Sequence, residues 1–445
     1  MTVPFSLSAR ASQTHDQPIS YFMQQAVENP NLISLAAGLV DPGSLPAAEV
    51  RAVMDEMLSD PVTAQAALQY GTTHGYAPLR EKILARAMAL DAIKARDVAL
   101  DADDVIVTTG SQQLLYMICE LLLDPGDIVI TEAPSYFVYH GTLTSLGVRT
   151  LQVPMDEQGM DTGLLEELLM RLEKAGDLQR VKLIYTIDYF QNPTGLTLSM
   201  PRRQHLMDLV RRFSKKQRIF VLEDAAYREL RFNGLDVPSL KSLDEDNAHV
   251  ILAMTFSKPM APGLKTGYGL LPSELVAPLL RFKGNHDFGS SNLAQHLLDR
   301  LLANGAYERH VEHLREVYRE KRDTILDALA EEFAGAEGIK WTEPEGGMYV
   351  WLTNAVETGP DSPFMKAALR EGVLYVPGQF CYVNGENGAL PKNEARLCYG
   401  VASLEQLPEA VRRLGRAARA SGAGRGTRGE SQPAGKSPHV VGAML

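Results

Sequence analysis

Three side chains that could do chemistry follow three successive apolar runs at nearly equal spacing. They are Asn192, Asp224 and Lys258, which lie 32 and 34 residues apart, and each interval is about the length of one strand–helix–strand unit. The carboxyl ends of parallel strands meet at one edge of a sheet, and open α/β folds bind their ligands there. We therefore expect an amide, a carboxylate and an amine to converge on one crevice.

The lysine and the acid suggest the chemistry of that crevice, although each residue also has a plainer interpretation. A lone lysine is usually a solvated surface charge, but at a sheet edge a lowered pKa would make the Lys258 amine a nucleophile toward an aldehyde. A carboxylate at the end of a buried strand is costly unless a cation pairs with it. For Asp224 that cation is either a nearby arginine or a protonated ring nitrogen of a bound cofactor. Asn192-Pro193-Thr194-Gly195 consists of residue types that also suit a turn without function.

A phosphate site is indicated by Thr108-Thr109-Gly110-Ser111-Gln112-Gln113, which closes an apolar run and opens a helical pattern. Unpaired N–H groups and the positive end of the dipole at a helix start bind anions, and small residues allow close approach. Ser111 could instead simply cap its helix. The segment matches neither the Walker loop nor the dinucleotide fingerprint in its spacing.

A phosphate-binding turn, a strand-end carboxylate and a strand-end lysine together predict pyridoxal 5′-phosphate as the cofactor. The turn would hold the phosphate, Lys258 would form a Schiff base with the aldehyde, and Asp224 would keep the pyridine nitrogen protonated. A protonated ring withdraws electrons and so stabilises the carbanion left when a bound amino acid loses its Cα proton.

Such a site requires a parallel sheet, and residues 100–272 have the pattern of one. Short β-branched runs alternate there with longer amphipathic stretches. The seven runs are Asp104–Thr108, Ile128–Thr131, Val148–Val153, Val181–Ile187, Arg218–Leu222, Val250–Thr255 and Tyr268–Leu271. This rhythm predicts an α/β fold with a mostly parallel seven-stranded sheet flanked by helices.

The remaining segments predict a second, smaller unit. Long helical patterns are followed by a turn and strand at Gly346–Leu352 and then by mixed strands and helices, which suggests an α+β domain. The last residues are rich in Gly, Ala, Ser and Pro, a composition that cannot offset the entropy of ordering. The expected division is an N-terminal arm or small-domain segment (1–45), a large α/β domain (46–330), a small α+β domain (331–418) and a disordered tail (419–445).

Composition narrows the choice of partner and compartment. The chain has 445 residues, of which 45% are hydrophobic, and a net charge of -11, which opposes nucleic acid or an anionic membrane as the main partner. Three scattered cysteines suit neither a disulfide framework nor a metal site. No apolar run approaches the roughly 18 residues that span a bilayer. We expect a cytoplasmic protein that binds a small molecule and no metal.

Taken in order, the motifs resemble those of the class I and II aminotransferases of pyridoxal phosphate fold type I. The resemblance extends over about residues 17–418 and is greatest to the subgroup of aminoadipate and kynurenine aminotransferases. It rests on Gly110-Ser111-Gln112-Gln113, Phe190-Gln191-Asn192-Pro193-Thr194-Gly195, Asp224-Ala225-Ala226-Tyr227, Ser257-Lys258, Pro262-Gly263-Leu264, Gly346-Gly347-Met348-Tyr349-Val350-Trp351 and Arg396-Leu397.

The resemblance implies a role for each matching position. Lys258, Asp224 and Tyr227 would be the catalytic residues. Gly38, Asn192 and Arg396 would bind the substrate, with Arg396 gripping its α-carboxylate bidentately. Cofactor contacts would come from Ser111, Gln112, Tyr136, Asn192, Asp224, Tyr227, Thr255, Ser257, Lys258, Lys265 and Tyr70. Tyr70 matches a tyrosine that reaches the phosphate across a dimer interface, so the resemblance also implies a homodimer.

The activity implied is reversible transamination in amino acid metabolism. An L-amino acid would displace Lys258 from its Schiff base, and a 2-oxo acid acceptor, often 2-oxoglutarate in this family, would reverse the sequence. The same scaffold could instead support elimination, decarboxylation or cyclisation, because fold and cofactor do not fix the bond that is cleaved. A transcriptional regulator with an aminotransferase-like sensor is disfavoured by the acidic charge and by the short segment before Gly38.

Two positions depart from the family pattern. Lys265 stands where the family usually has arginine, and an ammonium group cannot fork onto two phosphate oxygens. Lys265 also lacks the Ser-Lys context, which leaves Lys258 as the expected Schiff-base lysine. The helix around 19–25 has no arginine for a distal substrate carboxylate, so it does not indicate aminoadipate or glutamate specificity.

Overall fold

The computed structural model describes residues 5–14, 18–29, 31–92, 98–383 and 390–422. Its strands are β1 Ile33–Ser34, β2 Val105–Thr108, β3 Ile128–Ala133, β4 Arg149–Asp156, β5 Gly159–Met160, β6 Val181–Thr186, β7 Phe220–Asp224, β8 Val250–Thr255, β9 Gly267–Leu270, β10 Lys340–Trp341, β11 Tyr349–Thr353, β12 Val373–Leu374, β13 Val376–Pro377 and β14 Glu394–Cys398.

The helices cover both faces of the main sheet and the C-terminal region. They are α1 Ala9–Gln13, α2 Pro18–Glu28, α3 Ala47–Ser59, α4 Pro61–Leu68, α5 Ala77–Leu90, α6 Gly110–Leu122, α7 Phe137–Ser145, α8 Thr162–Ala175, α9 Met200–Phe213, α10 Ser273–His286, α11 Asn292–Ala303, α12 Ala306–Glu332, α13 Pro363–Glu371 and α14 Gln406–Ala420. In the described part of the chain, none of them is both long and apolar enough to cross a membrane.

The main sheet has the strand order β2-β9-β8-β7-β6-β3-β4-β5. Its centre, from β8 to β4, is parallel throughout, whereas β9 runs antiparallel to both of its neighbours. All seven runs expected from the sequence form strands, and β5 adds a two-residue antiparallel strand at one edge. The α/β fold class is therefore confirmed.

Burial on both faces explains why the strands read as continuous apolar runs. One core cluster lies between the sheet and α6, where Leu114, Leu115 and Ile118 are buried. A second cluster lies on the opposite face, where Leu165 of α8 and Leu206 of α9 pack. The strand β7 differs from expectation because it continues past Leu222 and ends at Asp224, so its two acids lie inside the strand.

The C-terminal region contains a four-stranded antiparallel sheet in the order β10-β11-β14-β13. The N-terminal strand β1 pairs in parallel with β12, joining Ile33–Ser34 to Val373–Leu374. The domain boundaries expected from the sequence stay predictions. The helix α14 ends at Ala420, and most of the expected disordered tail, residues 423–445, lies outside the described residues.

Candidate active site

A cavity of about 330 Å³ opens where β6, β7 and β8 end. Its lining brings together residues from the N-terminal segment, the main sheet and the C-terminal sheet. The predicted site residues that line it are Gly38, Ser111, Gln112, Tyr136, Asn192, Asp224, Tyr227, Thr255, Ser257, Lys258, Lys265 and Arg396. The residues that sequence reasoning grouped by motif thus share one crevice, and their individual roles stay predictions.

Lys258 is partly buried in this cavity, three residues beyond the end of β8. Its Nζ atom donates a hydrogen bond to the carbonyl oxygen of Gly38 at 2.7 Å and lies 5.9 Å from the centre of the Tyr227 ring. Burial, together with the positive charges of Arg396 and Lys265, lowers the pKa of the Lys258 ammonium to about 8. Near neutral pH a minor fraction of this amine, on the order of a tenth, is uncharged and nucleophilic, which is far more than for an ordinary lysine.

Asp224 is a buried carboxylate held by two uncharged donors. The Tyr185 hydroxyl donates to Oδ2 at 2.9 Å, and the backbone N–H of Ala226 donates to Oδ1 at 3.3 Å. Burial outweighs both hydrogen bonds and raises the pKa of Asp224 to about 6. Within the described ranges no lysine or arginine forms an ion pair with it, so the arginine alternative finds no support. A buried carboxylate on the cavity wall without a cation fits the protonated ring nitrogen of pyridoxal phosphate.

Arg396 and Asn192 lie together in another part of the cavity lining. Arg396 is 1% exposed; its Nη1 donates to Asn192 Oδ1 at 2.9 Å and its Nη2 to the carbonyl oxygen of Ala36 at 2.7 Å. The guanidinium carbon lies 4.5 Å from the centre of the Tyr349 ring. Nε of Arg396 is buried and has no hydrogen-bond partner among the described residues. A guanidinium has five N–H donors, so this desolvated group keeps donors on Nε, Nη1 and Nη2 beyond these two hydrogen bonds.

The start of α6 lies at the cavity, where the sequence predicts a phosphate-binding turn. Thr109 occupies the N-cap position without a side-chain cap hydrogen bond, so Ser111 lies inside the first helical turn and does not cap it. The strand β9 approaches this turn so closely that a Cβ atom at Gly267 would lie 2.6 Å from the Ser111 nitrogen. The first-turn N–H groups cannot bond within the helix, which leaves them available to an anion at the cavity.

Two hydroxyls and an ammonium group border the same turn. Thr255 Oγ1 donates to Ser257 Oγ at 3.0 Å and accepts a hydrogen bond from the Ser257 N–H at 3.1 Å, which fixes the loop that leads to Lys258. Lys265 is exposed at the cavity and has a left-handed backbone with φ of 48°. These groups can hydrogen-bond and partly neutralise a phosphate.

Tyr349 is a cavity residue to which sequence reasoning assigned no role, although it lies in the quoted Gly346–Trp351 motif. Its hydroxyl oxygen is 3.1 Å from that of Tyr227, and a Cβ atom at Gly38 would lie 2.6 Å from it. The glycine therefore permits close packing of the N-terminal segment against Tyr349. Burial raises the pKa of both tyrosines, so both stay neutral and able to donate.

Tyr70 is the one predicted site residue that the structure does not bring to the cavity. Its side chain is 83% exposed and packs edge-on against Phe288, with ring centres 5.7 Å apart. It lines a separate surface depression with Gly71 and Asn292. A contact across a subunit interface, the role that the resemblance implies, involves a second chain.

The sheet, with a lysine and a buried acid at its edge, defines a pyridoxal phosphate-dependent enzyme of fold type I. The chain belongs to the class I and II aminotransferases, because the sequence model described as "Aminotransferase class I and II" matches residues 30–414. It is therefore an aminotransferase, and its cofactor is pyridoxal 5′-phosphate.

Three known proteins show the range of its relatives. The chain is 36% identical to aromatic-amino-acid aminotransferase 1 of Thermococcus litoralis over 87% of its own length and 88% of the relative's. It is also 36% identical to 2-aminoadipate transaminase of Thermus thermophilus, over 88% of this chain and 91% of that protein. The kynurenine aminotransferase structure of Pyrococcus horikoshii, solved in complex with PMP, aligns with a TM-score of 0.84 and 32% identity, covering 93% of this chain and 96% of that chain.

Proposed function

We propose that this aminotransferase carries out both half-reactions in the described cavity, with Lys258 as the catalytic amine. The observation that carries the proposal is the presence in one cavity of an amine of lowered pKa, a buried acid without a cation and a buried arginine with a spare donor. Burial of an unpaired charged group lowers the stability of a protein. The buried acid would be compensated by a cationic ring, and the buried arginine by a carboxylate substrate.

The cofactor would be held at four places: its phosphate, its ring nitrogen, its ring face and its hydroxyl oxygen. The first turn of α6, with Ser111 and Gln112, would bind the phosphate together with Thr255, Ser257 and Lys265. Asp224 would face the ring nitrogen, Tyr136 would lie against the ring, and Asn192 and Tyr227 would bond its hydroxyl oxygen. When bound, pyridoxal phosphate supplies an aldehyde that condenses with amines and a protonated ring that withdraws electrons.

The chain's own residues would then manage charge and protons. Lys258, freed by the incoming amino acid, would take the proton from the substrate Cα, since its lowered pKa makes Nζ a base near neutral pH. The hydrogen bond from Tyr185 would keep Asp224 ionised, and therefore the ring protonated. The neutral Tyr227 hydroxyl can donate to an oxyanion beside Lys258.

Arg396 would set the position and orientation of the substrate. Its Nη1 and Nη2 atoms already bond Asn192 and Ala36, and each keeps a second N–H donor. Because Arg396 lines the cavity, two of its free donors would bind the two oxygens of the α-carboxylate. Gly38 would bring backbone close to the bound amino acid.

For the second half-reaction we propose a 2-oxo acid, with 2-oxoglutarate as the first candidate. The relatives' names suggest L-phenylalanine, L-tyrosine, L-2-aminoadipate and L-kynurenine as the first donors to examine. The absence of arginine from Pro18–Glu28 gives no basis for ranking the acidic donor first.

The proposal is tested by mixing the purified enzyme with each donor and no oxo acid. A transaminase converts its bound cofactor once to the pyridoxamine form, and the visible absorption falls by an amount stoichiometric with enzyme. Addition of 2-oxoglutarate should restore the absorption. Sustained consumption of the amino acid without any oxo acid would instead show elimination or decarboxylation, and would contradict the proposal.

We further propose a cytoplasmic homodimer in which Tyr70 of one subunit reaches the phosphate of the other. Tyr70 and Phe288 form an exposed aromatic pair, with Leu68 exposed beside them. The three cysteines are free and buried, as suits a reducing compartment. Light scattering should give a mass twice that of the chain, and Tyr70→Phe should weaken phosphate binding without changing that mass.

A further inference from the structure

Beneath the cavity lies a buried contact between Glu132 of β3 and Gln191, the residue before the Asn192 turn. The Glu132 carboxylate accepts hydrogen bonds from Thr186 Oγ1 at 2.5 Å, from the Ile187 backbone N–H at 3.2 Å and from Gln191 Nε2 at 2.9 Å. Glu132 is 1% exposed and Gln191 is fully buried. Neither side chain lines the cavity, so neither is positioned to touch a ligand there.

The Gln191 amide joins the two loops that follow β3 and β6. Its Nε2 also donates to the carbonyl oxygen of Pro134 at 2.8 Å, on the loop that leads to Tyr136. Its Oε1 accepts hydrogen bonds from the Thr194 N–H at 3.0 Å and from Thr194 Oγ1 at 2.6 Å. One side chain therefore ties the loop before Tyr136 to the turn that carries Asn192.

The partners of the Gln191 amide dictate which way it faces. The Pro134 carbonyl oxygen only accepts and the Thr194 N–H only donates, so the NH₂ group must face Pro134 and Glu132, and the oxygen must face Thr194. Burial raises the pKa of Glu132 to about 7, against the hydrogen bonds from Thr186, Gln191 and Ile187 that favour its charged form. The hydrogen bond between Gln191 and Glu132 thus stabilises both the conformation of the Asn192 turn and the charged form of Glu132.

We propose that Glu132 and Gln191 are positioning residues that hold Asn192 and Tyr136 at the ring end of the cofactor site. This inference rests on the proposed function, which assigns the ring contacts to those two residues. Within the described ranges, none of the hydrogen bonds made by the two side chains goes to the start of α6, the phosphate end of the site. Loss of the pair should therefore weaken binding of the ring while binding of the phosphate is unchanged.

The experiment measures binding to the apoprotein of the full chain with three probes. Pyridoxamine 5′-phosphate carries ring and phosphate without an aldehyde, pyridoxamine carries the ring alone, and inorganic phosphate is the third probe. In Gln191→Met, the dissociation constants of pyridoxamine 5′-phosphate and pyridoxamine should each rise about tenfold, the scale of one or two lost hydrogen bonds. That of inorganic phosphate should stay within about twofold.

Two further variants separate the hydrogen bonds from the packing. Glu132→Gln keeps an acceptor oxygen for Gln191, so it should raise the dissociation constant of pyridoxamine 5′-phosphate by about threefold or less. Glu132→Met removes that acceptor, so it should raise the dissociation constant as much as Gln191→Met does. If Gln191→Met does not fold, Thr194→Val removes the hydroxyl that bonds Gln191 and that also accepts a hydrogen bond from the Leu196 N–H at 3.3 Å. That variant should still raise the constant about threefold, with inorganic phosphate unaffected.

Asp244→Asn is the matched control for a general loss of stability. Asp244 is a buried carboxylate that accepts backbone hydrogen bonds from His249 and Val250 at the start of β8, the opposite end of the strand from the cavity. It should lower the Tm and leave all three dissociation constants unchanged. The inference is overturned if Gln191→Met binds pyridoxamine 5′-phosphate like the wild type, or if all three probes weaken together. A wild-type enzyme that fails to convert amino acids would refute the proposed function. The dissociation constants of the variants could still be compared, because they are measured without turnover.

Discussion

The Tyr185 hydroxyl donates a hydrogen bond to Asp224 Oδ2 at 2.9 Å, between neighbouring parallel strands β6 and β7. Tyr185 is itself held by Tyr139, whose ring stacks on it with centres 4.0 Å apart. The Tyr139 hydroxyl oxygen lies 3.2 Å from the sulfur of Cys119. The position of the Asp224 carboxylate is therefore supported by Tyr185, and the contact of Tyr139 with Cys119 holds the stacked pair in place.

Replacement of Tyr185 by phenylalanine should make Asp224 a weaker partner for the ring. The hydrogen bond lowers the pKa of Asp224, so its loss should raise that pKa above about 6. The affinity of the apoprotein for pyridoxamine 5′-phosphate should fall at low pH as Asp224 becomes protonated. In Tyr185→Phe the pH at which half of this affinity change has occurred should therefore be higher. Tyr139→Phe is the control, because it keeps the stack and the Asp224 hydrogen bond; an equal shift in both variants would refute the assignment.

Lys258→Ala and Lys265→Ala should have different spectra. The first should abolish the absorption band of the lysine-linked cofactor and all transamination, because Lys258 is the proposed Schiff-base amine. The second should keep the band and only weaken cofactor retention, since Lys265 acts as a point charge near the phosphate. Absorption spectra before and after dialysis distinguish the two, and the reverse result would exchange the roles of the two lysines.

Arg396→Lys should lower kcat/KM for the amino donor by about 100-fold, because an ammonium group cannot replace a fork that holds two oxygens. The visible spectrum of the bound cofactor should be nearly unchanged, since Lys258 and Asp224 are untouched. Steady-state kinetics with the donor from the screen provides the measurement. A variant with normal kcat/KM would show that the substrate carboxylate binds elsewhere.

Gly267→Ala should weaken phosphate binding more than it weakens the fold. The added Cβ would lie 2.6 Å from backbone atoms of both Gly110 and Ser111, which cannot move without shifting the start of α6. Gly269→Ala is the control, because its Cβ would meet the Leu114 side chain, whose end can rotate away. Inorganic phosphate titration and Tm should separate them, and equal phosphate affinities would contradict this account of the turn.

The sheet and the cavity-lining residues could be predicted because their signals are local. Apolar runs bounded by Gly and Pro locate strands buried on both faces, and Asn192, Asp224 and Lys258 follow or end such runs. The apolar pattern predicts that β7 ends at Leu222, whereas the strand continues to Asp224, since a partner such as Tyr185 stabilises an acid that is otherwise unfavourable inside a strand.

The supporting residues could not be predicted from the sequence. Glu132 and Gln191 are 59 positions apart and read as an ordinary strand residue and an ordinary turn residue. Tyr349 reads as one more core aromatic before the fold brings it beside Tyr227. Their roles depend on contacts between distant segments, which leave no periodic pattern.

The N-terminal segment near Gly38 has a consequence for the order in which this protein matures. The carbonyl oxygen of Gly38 bonds Lys258, and that of Ala36 bonds Arg396, 360 positions further along the chain. Ring closures of that length are slow and come late. During synthesis the ribosome must therefore complete nearly the whole polypeptide, through Arg396, before the vitamin pocket can close.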